Sequence, residues 1–207
     1  MAVDSLRTHL VEELTDLLDA ENQLTKALPK MAKAASSTQL KAAFTRHLAE
    51  TRKQITRLDK ALRALGERPR RKTCEAMEGL ISEGDEMMNQ TPAGALRDAV
   101  MITAAQKVEH YEMASYGCVR TYAMVLGEPG VARLLDQTLK EEKAADGKLT
   151  AIAERSVNED AAEAWQAQDE EGMMSRGAEW VSSTFNAAAR QLGRTTRRPA
   201  RRSSKKR

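Results

Sequence analysis

Four stretches of this chain carry apolar residues at helical spacing and interrupt that spacing with acids at mid-length, a pattern that few folds accept. On an α-helix, residues at i, i+3 and i+7 share a face. The clearest case surrounds Val108-Glu109-His110-Tyr111-Glu112, where the stripe Ile102, Ala105, Glu109, Glu112, Tyr116, Val119, Ala123 is apolar at both ends and acidic in its middle. A face turned only to water would not read that way. Unpaired carboxylates buried in a helical core cost many kcal/mol, so such a pair must be protonated, ion-paired or bound to a cation.

The same interruption recurs along the chain. From Asp4 to about Ala35, the seam Leu10, Leu14, Leu17, Leu24, Leu28, Met31 has Glu21 in its one gap, and Pro29 is expected to kink the helix. Ser36, Ser37 and Thr38 offer an N-cap for a second helix, whose seam runs through Leu40, Phe44, His47, Thr51, Gln54, Leu58, Leu62 and Leu65 with Glu50 at its edge. Gly66 ends it. A basic loop, Arg68 to Lys72, and a short helix near Cys74 to Ile81 fill a connection too long for a tight turn. The third helix begins after Thr91-Pro92 and ends before Gly127 and Pro129; the fourth runs from about Gly130 to Ser156, with Glu142 and Asp146 inside its aliphatic stripe.

Two helical hairpins joined by one long crossover make an all-α four-helix bundle with ferritin-like connectivity. Register brings the acids together. A fold-back between residues 35 and 36 sets Glu21 level with Glu50, and one near 127 and 128 sets Glu109 level with Asp146, with Glu112 and Glu142 one residue out of step. Glu21, Glu50, Glu109, Glu112, Glu142 and Asp146 thus share one layer. Against their six negative charges two ferrous or ferric ions return about +4 or +6, and oxygen-rich coordination favours iron or manganese. His47, three residues before Glu50 on the same face, is a seventh metal ligand or a hydrogen-bonding partner of one. His110 and Tyr111 are expected beside the centre as supporting residues.

Charge divides the remainder. Residues 194–207 hold Arg194, Arg197, Arg198, Arg201, Arg202, Lys205, Lys206 and Arg207 without one acid, and removing these eight from the 33 basic residues leaves 25 against 30 acidic ones. The body is therefore acidic and residues 193–207 read as a disordered basic tail suited to non-specific nucleic-acid phosphate binding. Residues 157–192 read as an amphipathic helical extension, with Met174, Val181, Phe185, Ala188 and Leu192 on one stripe, and residues 1–156 as the bundle. No apolar run reaches the roughly 18 residues of a membrane span, the first ten residues do not look like a signal peptide, and two cysteines make no disulfide framework, so a cytoplasmic protein is expected.

Several of these stretches, Asp19-Ala20-Glu21, Ala27-Leu28-Pro29-Lys30-Met31, His47-Leu48-Ala49-Glu50-Thr51, Cys74-Glu75-Ala76-Met77-Glu78-Gly79-Leu80, Glu109-His110-Tyr111-Glu112 and Glu141-Glu142-Lys143-Ala144-Ala145-Asp146, together resemble the YciE/YciF family of bacterial ferritin-like proteins. The resemblance covers Leu10 to about Ile152. It implies a ferritin-like bundle, a dinuclear centre of iron or another metal, and a homodimer. Ferritin-like sites usually carry Glu-x-x-His on two helices; here helix two reads His47-x-x-Glu50 and helix four has no histidine. The function expected is that of a di-iron or di-manganese carboxylate protein of the stress response, reacting with dioxygen or peroxide as a ferroxidase or peroxidase-like oxidoreductase. The alternative is a dimeric scaffold acting on DNA through its basic tail.

Overall fold

A computed structural model describes residues 4–167 and 169, and these are all-helical. The first unit, Met1–Ala162, contains α1 (Leu6–Ala34), α2 (Thr38–Ala64), α3 (Glu75–Gln90), α4 (Ala95–Val125) and α5 (Pro129–Ile152). Helices α1 and α2 form one antiparallel hairpin and α4 and α5 the other; α2 lies along α5, and α1 along α4. The crossover helix α3 packs on α4 and α1.

Local chemistry sets the ends of these rods. Ser5 Oγ accepts from the Thr8 N–H, and Ser37 Oγ from that of Leu40, so each helix of the first hairpin opens on a serine cap. Both α2 and α4 close on a glycine in the left-handed region, Gly66 at φ 79° and Gly127 at φ 75°. In each case the next N–H reaches back to a carbonyl of the last turn, Glu67 to Leu62 and Glu128 to Ala123. The first hairpin is also tied to the start of α4. Buried Asp98 accepts from the Ser36 and Ser37 N–H groups at 2.8 and 2.6 Å.

Pro29 sits inside a continuous α1. Helical winding runs on past residue 156, where the sequence reading ended the bundle: one turn of π-helix, Ala153–Val157, follows α5, and residues 158–162 are α-helical again. In the second unit, Glu163–Arg207, the described residues are helical. The amphipathic stripe from Met174 to Leu192 and the whole basic tail from Arg194 to Arg207 lie outside the described residues.

Two aliphatic cores fill the bundle. One is built on Leu24, Leu28, Phe44, Met101, Ile102 and Leu149; the other on Leu10, Leu14, Leu58, Leu62, Val119 and Leu135. The acid-bearing positions of every seam fall in the gap between them, as helical periodicity requires when one turn of each apolar stripe is replaced by polar residues.

Candidate metal centre

The polar layer holds Glu21 from α1, His47, Thr51 and Gln54 from α2, Glu109 and Glu112 from α4, and Glu142 from α5, all buried. One ligand atom each from His47, Glu109, Glu112 and Glu142 lie within 4.8 Å of one another. Donors on opposite sides of one ion at about 2.1 Å are about 4.2 Å apart, so four residues this close have the spacing of metal ligands. His47 Nε2 stands 3.3 Å from Glu109 and 3.8 Å from Glu142, and its Nδ1 lies 3.8 Å from Glu50.

The atoms facing this gap lack protein partners. Glu21 Oε2, both nitrogens of His47, Glu109 Oε2, both oxygens of Glu112 and Glu142 Oε2 are buried without a hydrogen bond. Buried polar atoms are nearly always satisfied, so this many orphans in one layer call for missing partners. Water or protons would partner some of them, but only cations balance four ionised carboxylates at one spot. Two of the remaining oxygens are held: Tyr116 donates to Glu21 Oε1 at 2.6 Å, and Gln54 Nε2 donates to Glu142 Oε1.

Electrostatics point the same way. Burial pushes Glu21 up to about 8, against the opposing effect of the Tyr116 hydroxyl. Burial, then the neighbouring carboxylates, hold Glu112 and Glu142 well above the usual range. Burial raises Glu109 as well, with His47 opposing. Burial acts to lower His47, yet the facing Glu50, Glu109 and Glu21 carboxylates outweigh it and raise the imidazole. Without a cation, the layer therefore keeps protons that free carboxyls would release.

The residues singled out from the sequence fall into two groups. Glu21, His47, Glu109, Glu112 and Glu142 converge. Glu50 is one-third exposed at the edge, where His47 draws it below the usual carboxylate range. Asp146 is turned aside, accepting from Gln106 at 3.0 Å and lying 3.4 Å from His110, whose ring is mostly exposed. The second hairpin turns about Gly127, which sets Glu112 level with Glu142 and leaves Asp146 one turn beyond. Tyr111 also points away, its hydroxyl 3.0 Å from Asp16 and 3.1 Å from Cys74.

Sequence reasoning passed over three contributors. Tyr116 and Gln54 stood in the seams as packing residues but hold the two carboxylates from behind. Arg57, buried one turn after Gln54, makes a two-pronged bond to Glu141 at 2.6 Å on both arms and reaches Thr138 at 3.1 Å. Its signal was available: an arginine three residues after a seam glutamine continues that seam.

Comparison with known proteins fits this geometry. Residues 5–162 match the family model described as Domain of unknown function (DUF892). Protein YciF of Escherichia coli K12 is 46% identical over 162 residues, 78% of this chain and 98% of the relative. The crystal structure described as the E. coli stress protein YciF superposes with a TM-score of 0.73, covering 75% of this chain and 99% of that one at 46% identity. A Bacillus anthracis structure described as ferritin-like, diiron-carboxylate proteins matches at a TM-score of 0.57 and 16% identity, over 73% of this chain and 99% of that one, which shows a shared fold. With most of its length inside the family match and 46% of the 162 aligned residues identical to those of YciF, the chain belongs to the DUF892 family, the YciE/YciF group to which its acidic motifs point.

Proposed function

We propose that this protein is a di-metal carboxylate protein, binding two iron or manganese ions and reacting with dioxygen or peroxide as a ferroxidase or peroxidase-like oxidoreductase. One observation carries the proposal: ligand atoms of His47, Glu109, Glu112 and Glu142 lie within 4.8 Å of one another, and each of these buried side chains has at least one atom without a hydrogen bond. Glu21 supplies a further orphaned oxygen to the same gap. Glu50 beside His47 and Asp146 one turn from Glu142 complete the proposed ligand set. The donor chemistry, carboxylate oxygens with one imidazole nitrogen, fits iron or manganese.

When bound in the ferrous state, two irons supply two electrons, which with two protons reduce one peroxide to two waters. The protein's own part is positioning and proton handling. Tyr116 fixes Glu21 through its hydroxyl proton and Gln54 fixes Glu142 through its amide, leaving one oxygen of each facing the gap. The raised carboxyls of Glu112 and Glu142 release protons as cations enter. The two aliphatic cores exclude bulk water from either side of the layer.

The stress role described for the E. coli relative supports a similar setting for this chain. A cytoplasmic homodimer belongs to the same proposal, supported by the resemblance and by two unbridged cysteines, Cys74 and Cys118. Among the described residues no helix is long and apolar enough to cross a membrane. A second reading, DNA binding through residues 194–207, is supported by their eight cations and lack of acids.

Anaerobic titration with ferrous ion, followed by absorbance on adding dioxygen or peroxide, tests the main proposal. The stoichiometry should approach two per chain and an oxidised-iron band should appear. In Glu109→Ala both should fall; an unchanged stoichiometry in that variant would count heavily against the assignment.

A further inference from the structure

The metal-site residues are reached by two largely apolar pockets that differ in the charged side chains at their walls. One runs beneath α3, has a cavity volume of about 30 Å³, and is walled by apolar side chains including Leu24 of α1, Ile81 and Met88 of α3, and Ala105 of α4. His47 and Glu109 form part of its lining. The other reaches the same two residues between α2, α4 and α5, and its wall includes Arg46, Glu50 and Lys148.

Helix α3 is the roof of the first pocket. It takes no part in closing the four-helix bundle, yet it is held close. Gly84 lies so near α4 that a Cβ there would come within 3.1 Å of the Ala104 methyl. Lys30 pairs with Asp85 at 3.4 Å and Lys107 with Glu83 at 2.9 Å, clipping the helix to α1 on one side and to α4 on the other. The second pocket has Arg46, Glu50 and Lys148 at its wall, whereas the one beneath α3 has Asp85 as its one charged residue besides the metal-site pair. A small uncharged molecule is favoured along the latter, because it gains by leaving water and forfeits no hydrogen bonds.

We propose that the pocket beneath α3 is the binding and entry site for dioxygen, delivering it to the His47–Glu109 side of the polar layer. Delivery to bound metal rests on the function proposed above. Binding of an apolar gas in the pocket does not.

Xenon is the probe for that binding. In the metal-free full-length protein under xenon pressure, methyl NMR should show saturable shifts at Leu24, Ile81 and Ala105, and those at Leu24 and Ala105 should be lost in Ile81→Trp, which fills the pocket from the partly buried roof. Stopped-flow oxidation of the ferrous-loaded protein should slow about tenfold with dioxygen in Ile81→Trp and change less than about twofold with hydrogen peroxide. Leu80→Phe, checked for helicity, serves if the tryptophan variant does not fold. Absence of xenon from the pocket, preference of the pocket for an alkyl-chain ligand over xenon, or equal slowing with both oxidants would overturn the proposal. Xenon seated as described in a wild-type protein that oxidises no iron would support the pocket and overturn the proposed function instead.

Discussion

Stripping the metal and raising the pH should destabilise this protein through the acids of its polar layer. Glu21 is pushed from an ordinary 4.5 to about 8 by burial. Below pH 4.5 the carboxyl is protonated in both folded and unfolded chains, and no penalty arises. Above 4.5 the unfolded chain ionises while the folded one keeps its proton, so stability falls steadily until the folded group also titrates near 8. At 1.36 kcal/mol per pH unit, that single residue can remove up to about 5 kcal/mol, comparable with the whole net stability of a domain. Glu109, Glu112 and Glu142 are raised in the same sense and steepen the fall, and the raised His47 adds to it above pH 6.5. Urea unfolding of chelated protein across pH 5 to 8.5 measures the slope. Glu21→Gln should flatten it, and the metal-loaded protein should run the other way, because ligands shed their protons to bind. Metal-free stability that is flat or rising over this range would refute the reasoning.

Arg57→Met should cost about 3 kcal/mol in urea unfolding by leaving Glu141 without its two-pronged partner, with metal stoichiometry unchanged; Arg57→Lys should fail to restore it, since an ammonium cannot form the fork. Asp98→Ala removes the acceptor of the Ser36 and Ser37 N–H groups and should cost about 2 kcal/mol, with faster amide exchange at those two residues. Truncation after Gly193 removes eight positive charges and should abolish gel retardation of DNA that weakens steeply with salt in the full chain. Retention of that binding by the truncated chain would exclude the tail as its source.

Helix number, hairpin order and the polar layer were legible because one turn of each apolar stripe is replaced by acids, and because Ser37, Gly66 and Gly127 mark the turns in the chemistry of their own residues. Glu112 and Glu142 could be placed in the centre to within one residue. Asp146 shows where that precision ends: axial level does not set which way a side chain faces, and four residues after Glu142 the helix has turned about 40° further, where Asp146 pairs with Gln106. Tyr111 and His110 were placed by proximity in sequence to Glu109 and Glu112, yet each successive helical residue turns by about 100°, so they face Asp16 and Asp146 instead. Asp98 and Arg57 escaped notice because their partners, two backbone N–H groups 61 and 62 residues away and a carboxylate 84 away, exist only once the helices are packed. The pocket beneath α3 was equally hidden, being a property of how a crossover helix lies on its neighbours.

Anomalous diffraction from crystals grown with manganese or ferrous ion tests the central claim most directly. Two peaks lodged among His47, Glu109, Glu112, Glu142 and Glu21 are the expected result. A polar layer without anomalous density, with ions bound only at surface carboxylates, would show that protons alone satisfy these acids and that the buried layer is not a metal centre.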